Sequence, residues 1–307
     1  MTAAAGTSRG RSPARTSKLV PLEEAAALVR PGALVAIGGL WFQNNPSALV
    51  RAVIRTGVRD LQVVAAPPSS YAVDLLIGAG VVSRVYAAHV SFDHLGLAPN
   101  HRRAAEAGEV DIVECDEATV LGGLMAAVEA LPHHPVTSIA GTELTRTSSL
   151  AARTPVDGLG EVAAPPAMRP DLCLLHAQEA DQYGNIRHFG TPFCDPLFAK
   201  TSGTVVVSVD RIVDNATVRA EPHRTVIPGY LVDAVVEAPY GAHPAASQGL
   251  YPHDEEHLNA YLSAGRTAED WRARYLRPWV LDRPDSADYL AAVGGPDRLD
   301  RLDEVVA

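Results

Sequence analysis

Three cysteines in 307 residues, Cys115, Cys173 and Cys194, are too few and too scattered for a disulfide framework or a zinc cluster. No apolar run approaches the roughly 20 residues that a membrane-spanning helix requires. Basic residues are in deficit, 26 Lys and Arg against 36 Asp and Glu, giving a formal net charge of −10. A surface of that sign repels phosphate backbones and anionic lipids, so neither nucleic acid nor membrane is an expected partner. A local pocket lined with amides can still accept a phosphorylated group. No Walker loop occurs, and Gly78-Ala79-Gly80 closes a helix instead of following a strand, so the dinucleotide fingerprint is missing too. Residues 1–17 are basic and rich in Ala, Ser, Gly and Thr, without the apolar stretch of a secretory signal. A transit peptide has a similar composition, but a disordered tail is the simpler expectation. These absences point to a cytoplasmic enzyme or binding protein.

What the chain does hold is apolar surface: 47% of residues are hydrophobic and 20% charged, enough for a large core. From residue 20 the pattern alternates between helix and strand. Residues 21–30 carry Glu23 and Glu24 at the start and Arg30 at the end, the charge order a helix dipole favours, and Pro31-Gly32 stops them. Residues 34–37 read as a buried strand. Asn45-Pro46 is expected to open the next helix, with Leu49, Val50, Val53 and Ile54 as its buried stripe and Gly57 at its end. Strands follow at 61–66, 81–87, 110–113 and 136–140, with helices at 70–79 and 116–131 and a shorter one around Ala104. Residues 141–170 break the rhythm, as functional or connecting segments do. Strands resume at 172–175, 204–209 and 234–237. The fold class is therefore α/β, an open and mainly parallel sheet with helices on both faces. The sequence divides into a tail over 1–17, an α/β domain over 18–252 and a helical C-terminal extension over 253–307, where Tyr261, Trp271, Tyr275, Trp279 and Tyr289 provide a face to pack on the body.

Several segments invite chemistry. Gly38-Gly39 follows the first strand directly, where backbone amides point at ligands in open sheets; alone, the pair is also explained as a tight turn. Glu114, Asp116 and Glu117 meet at a strand end and a helix start. Capping accounts for Asp116, whereas Glu117 is open to both a dipole role and a role as base or nucleophile. His89, Ser91 and Asp93 share one segment and read as strand-end loop residues beside the pocket, not as a triad. His133-His134 has no third ligand at metal spacing and reads as an exposed loop, so no metal site is expected. Residues 181–185 form a turn. Residues 226–244 set a strand between proline-glycine turns, a pattern that shapes loops more than it fills a core.

In combination these segments resemble the A (alpha) subunits of class I coenzyme A transferases. Gly32, Gly38, Gly39 and Pro46 fall in register with that family's N-terminal signature, with Leu40 and Asn44 replacing its Phe and second Gly. Residues 209–213 and 227–244 are similar to two further family segments. Within the family the likeness is strongest to glutaconate-type A subunits and to the A subunits of cholesterol ring-degrading hydrolases. Asp116-Glu117, Gly123-Leu124, Leu131-Pro132-His133-His134-Pro135 and the tail residues Asp254-Glu255, Tyr261, Trp271 and Tyr289 carry the second likeness.

The resemblance implies a CoA-transferase-like fold and a homologous beta subunit, paired as a heterodimer or as a heterotetramer of two alpha and two beta chains. It implies acyl-CoA and carboxylate substrates, with coenzyme A entering as part of the substrate and no tightly bound cofactor. The nucleophilic glutamate would belong to the beta chain. This chain would line the pocket with Gly38, Gly39, Gln43 and Ser91 and place Glu117 where succinate- and acetate-type subunits carry an oxyanion-binding glutamine. An ionised carboxylate cannot donate to an oxyanion. The resemblance therefore leaves two enzymatic readings, CoA transfer between acyl groups and hydrolytic carbon–carbon cleavage of a cyclic acyl-CoA with Glu117 as base. A non-catalytic CoA-binding partner is the third.

Overall fold

The computed structural model describes residues 15–150, 152–158 and 160–302; most of the expected N-terminal tail lies outside the described residues. Short apolar runs bounded by turn residues form the strands β1 (Leu34–Ile37), β2 (Leu61–Ala65), β3 (Val82–Tyr86), β4 (Asp111–Val113), β5 (Arg153–Val156), β6 (Gly160–Ala163), β7 (Leu172–Ala180), β8 (Ile186–Arg187), β9 (Thr204–Ile212) and β10 (Ala234–Glu237). An eight-stranded sheet runs β10-β9-β7-β1-β2-β3-β4, with β8 paired to β7 off that path. Only the β7–β8 ladder is antiparallel in this sheet. A separate antiparallel hairpin joins β5 and β6.

The chain builds outward from β1 to β4, then returns with β7 to the other side of β1 and continues to β10. Winding thus reverses between β1 and β7. In open parallel sheets, the loops beyond the strand carboxyl ends at such a reversal diverge and leave a crevice. Gly38 begins the loop there, and its amide donates to the Leu174 carbonyl of β7 at 3.0 Å.

Strand alternation divides the interior into two cores. Val35 and Ile37 of β1 pack with the helices Leu22–Ala26, Ser47–Arg55 and Tyr71–Gly78, whereas Ala36 faces Val120 and Leu124 of Glu117–Val128 and Phe198 of Asp195–Thr201. Helices therefore cover both faces. The helices Glu255–Ser263 and Ser286–Ala292 and the π-helical stretch Arg272–Leu281 belong to the C-terminal region. Trp271, Tyr261 and Tyr275 are fully buried against the first core. The Tyr261 and Tyr71 rings meet edge-to-face with centroids 5.1 Å apart, and the Tyr261 hydroxyl donates to the buried Asp74 carboxylate at 2.6 Å. Asp254 caps the helix that follows it and accepts from His243 Nε2 at 3.0 Å. The extension is thus joined to the body through buried polar partners.

Two local expectations are corrected. Residues 136–140 are not a strand: Val136 makes one bridge to Ala163, and the rest is turn, with Ile139, Ala163 and Val136 forming a small local core. Apolar runs of that length form a strand only when a neighbouring strand is in reach, and the β5–β6 hairpin offers a single rung. Asn45 does not cap the helix Ser47–Arg55, whose N-cap is Pro46. The Asn45 amide turns back to the Trp41 carbonyl at 2.6 Å and the Gln43 carbonyl at 3.2 Å.

Candidate active-site crevice at the strand carboxyl ends

The Gly38-Gly39 pair is required by its surroundings. A Cβ on Gly38 would collide with Asp195 Oδ1 and lie 2.7 Å from a Leu175 methyl. Gly39 has φ +83°, and a Cβ there would lie 2.6 Å from the Gln43 carbonyl oxygen. The chain then folds into a tight turn in which Leu40 and Gln43 exchange backbone hydrogen bonds of 2.9 and 2.8 Å. Two non-glycine residues of this loop, Trp41 at φ +41° and Asn44 at φ +52°, also occupy the left-handed region. Such strain persists only where the surroundings over-determine the backbone.

Those surroundings are a buried polar network. Gln178 of β7 donates to Asn44 Oδ1 at 2.8 Å and to Ser247 Oγ at 2.9 Å, while its Oε1 accepts from the Phe189 amide at 3.0 Å. Ser247 Oγ donates to Asp210 Oδ2 at 2.6 Å, and Tyr251 donates to Asp210 Oδ1 at 3.1 Å. His176 bridges Ser208 at 2.9 Å and Asp210 at 3.1 Å. Burial pushes Asp210 upward, but the His176 ring and the two hydroxyl donors outweigh it and hold the carboxylate below its ordinary value. The network fixes the loops after β1 and β10 to the ends of β7 and β9.

Beneath the glycines lies a second buried pair. Asp195 Oδ1 accepts from the Gly39 amide at 3.0 Å. Its Oδ2 has no hydrogen-bond partner among the described residues and stands 3.8 Å from His188 Nε2; both His188 nitrogens are likewise unpartnered. The two would attract each other if charged. Burial instead drives both towards neutrality, raising Asp195 to about 7 and lowering His188 to about 4.

Glu117 is the first residue of its helix and is exposed. Asp116 before it is the N-cap, closed by a reciprocal box with Thr119: the Asp116 side chain accepts from the Thr119 amide at 2.8 Å, and Thr119 Oγ1 accepts from the Asp116 amide at 3.0 Å. The Glu117 charge reaches Cys194, whose thiol is pushed to about 12 by burial, then by Asp195 and Glu117. Glu117 and the glycine loop therefore flank the same helix start from two sides.

Ser91 lies on the neighbouring loop, buried, its Oγ 2.6 Å from His89 Nε2. The Asp93 backbone, not its carboxylate, completes that cluster by donating to Ser91 Oγ at 3.3 Å. His89 and Ser91 border a cavity of about 640 Å³ that Glu114, Cys115 and His101 also line. Successive strand-end loops are tied together: Ser70 donates to the Trp41 carbonyl, and the Ser91 amide donates to the Ser69 carbonyl at 3.0 Å. Gly38, Gly39, Ser91 and Glu117 thus share one sheet edge. Gln43 is at that edge too, but its side chain is hydrogen-bonded to Gln248.

His176, Gln178, His188 and Asp195 are not singled out by the sequence, and Asp210 enters only within the family-like segment 209–213. Their signal was polar residues inside apolar strands, His176 and Gln178 in LCLLHAQEA and Asp210 in TVVVSVDRI.

Comparison with known proteins accords with this architecture. The coenzyme A transferase family model matches residues 20–238. The chain is 31% identical over 297 residues to the A-type subunit of glutaconate CoA-transferase from Acidaminococcus fermentans, covering 91% of this chain and 92% of the relative. The crystal structure of that transferase superposes with a TM-score of 0.87 at 30% identity, over 92% of this chain and 94% of the other. The cholesterol ring-cleaving hydrolase IpdA subunit of Rhodococcus jostii is 32% identical, covering 91% of this chain and 96% of its own length. An uncharacterized Archaeoglobus fulgidus protein is 36% identical over 93% of this chain, which spans 64% of that relative's length. Matched by the family model over residues 20–238 and by the glutaconate transferase along nearly the whole chain in both sequence and structure, this protein belongs to the coenzyme A transferase family, as an A-type subunit.

Proposed function

We propose that the chain is the alpha subunit of a CoA-transferase that moves coenzyme A between carboxylic acids, in an active site shared with a homologous beta subunit. The observation that carries this reading is the end-to-end match to the glutaconate transferase subunit, in sequence and in shape, including the helices after His253. The crevice supports it. Gly38 and Gly39 let the loop after β1 pack tightly on Asp195 and on its own turn, the buried Gln178–Asp210 network holds that loop in place, and Ser91 borders a cavity large enough for part of an acyl-CoA. The exposed position of Glu117 suits contact with a second chain that supplies the nucleophile. Coenzyme A enters as part of the substrate. Action in the cytoplasm belongs to the same reading, in keeping with the free thiols of Cys115, Cys173 and Cys194.

A second reading has a specific observation behind it. Glu117 is a carboxylate where an amide would serve an oxyanion, and the 32% identical hydrolase subunit cleaves a ring. In this reading Glu117 is a base acting on substrate or water, and no beta-chain nucleophile is needed. Co-expression with a beta-type subunit distinguishes the two. Transfer requires an acceptor carboxylate and survives Glu117→Ala in part, whereas cleavage proceeds with water alone and is lost in Glu117→Ala. A complex that assembles but turns over no acyl-CoA, with or without Glu117, would refute both enzymatic readings.

A further inference from the structure

His94 and His253 are far apart in sequence, the first in the one-turn helix Asp93–Leu95 and the second just ahead of the helix Glu255–Ser263. The fold brings them together with Glu255 so that one ligand atom from each lies within 4.8 Å of the other two. His94 Nε2 stands 3.7 Å from Glu255 Oε2. The His94 and His253 rings meet edge-to-face at 68°, with centroids 6.5 Å apart. Two donors on a tetrahedral divalent ion, with bonds of about 2.0–2.2 Å, sit about 3.3–3.6 Å apart. The His94–Glu255 spacing of 3.7 Å is a few tenths of an ångström wider, the whole set lies within 4.8 Å, and rotation of the exposed His94 and Glu255 side chains is the movement that would close it.

The surroundings supply the features expected of a ligand set. Phe42 stacks on His253 at 5.2 Å and 26°, fixing its ring plane. Asp93 Oδ2 lies 3.6 Å from His94 Nδ1, on the side opposite Glu255. The contact is longer than a hydrogen bond, but Asp93 stands at the ring nitrogen from which a ligating imidazole donates its outer N–H to a carboxylate, so a small rotation would pair them. The Nε2 contact with Glu255 also exceeds hydrogen-bond length, so it leaves Nε2 available to an ion.

We propose that His94, His253 and Glu255 bind a zinc-like divalent cation, with Asp93 orienting His94 and water in the fourth position. Two imidazoles and one carboxylate select zinc, cobalt or nickel over magnesium and calcium. The ion would clip the turn after Ser91 to the start of the C-terminal helices, and both to Phe42 in the loop behind Gly39. The site lies outside the crevice chemistry proposed above and does not depend on it.

The test is a calorimetric titration of Zn²⁺ into the untagged, chelator-treated full-length chain, with Co²⁺ absorption as a second readout. One equivalent is expected, with a tetrahedral Co²⁺ spectrum and a zinc-dependent rise in Tm. His94→Ala, at an exposed side chain that leaves the fold intact, should weaken binding on the order of tenfold or more and abolish the Tm shift. Glu255→Gln should also weaken it, and His223→Ala, an exposed histidine elsewhere, should not. Zinc binding that is equal in wild type and His94→Ala, or no binding by the wild-type chain, overturns the proposal.

Discussion

Asp195 and His188 lie under the glycine loop with opposing titrations, and separating them tests the description of the crevice floor. The Asp195 carboxyl rises from 3.8 to about 7 on folding, by burial and against the Gly39 amide, which favours its ionised form. Between those values the folded chain keeps a proton that the unfolded chain releases, so this group's contribution falls as pH rises, by roughly 4 kcal/mol in total. His188 falls from 6.5 to about 4, by burial and then by His176. Below pH 6.5 the unfolded chain takes up a proton that the folded chain refuses, so this contribution falls as pH drops, by roughly 3 kcal/mol. From about pH 4 to 6.5 the two slopes oppose each other and the wild type conceals both. Cys173 and Cys194, two further titratable neighbours of Asp195, have thiols near 12 and stay uncharged throughout. Asp195→Asn keeps an oxygen for the Gly39 amide and removes one slope; relative to wild type it should gain roughly 3 kcal/mol between pH 4.5 and 7. His188→Gln should gain in the opposite direction, towards acid. Denaturant midpoints of the three proteins at half-unit pH steps read both effects. A constant loss in Asp195→Asn across the range would mean that the pair is ionised, and would refute the neutral description.

Other perturbations read separate parts of the fold. Gly39→Ala should cost about 1–3 kcal/mol more than Gly32→Ala, because both sites have positive φ but only Gly39 has carbonyls where the Cβ would go; denaturant unfolding gives the difference. Tyr261→Phe should cost about 1–3 kcal/mol in the same assay, since it strips the buried Asp74 carboxyl of its 2.6 Å donor. Glu117→Gln should leave stability within about 0.5 kcal/mol, because the side chain is exposed. In the assembled complex it should preserve acceptor-dependent transfer; loss of all turnover with unchanged assembly would favour the base reading.

Much of this architecture could be read locally. The runs at Leu34–Ile37 and Leu61–Ala65 are apolar, short and closed by turn residues, and nothing competes with a buried strand there. Asp116 and Thr119 form their cap within four residues, so their role needs no tertiary knowledge. Residues 136–140 failed because a short apolar run does not reveal whether a neighbouring strand is in reach. Asn45 failed because Trp41, Gln43 and Ala72 offered its amide partners that a helix terminus could not match. The site divides in the same way. The glycines and Glu117 stand at strand ends and were visible. The couplings of Gln178 to Asn44, His176 to Asp210 and His188 to Asp195 depend on strand register and loop closure, which no local pattern encodes.

The central claim is transfer of coenzyme A between carboxylic acids by this chain with a beta-type partner. Its most direct test is to incubate the co-purified complex with a panel of short dicarboxylic and cyclic acyl-CoA thioesters and an isotopically labelled carboxylate. Label should enter a new CoA thioester as the donor acid is released in equal amount, and donor consumption should stop when the acceptor is omitted. Consumption at the same rate without acceptor, yielding a ring-opened product or free CoA, would contradict it.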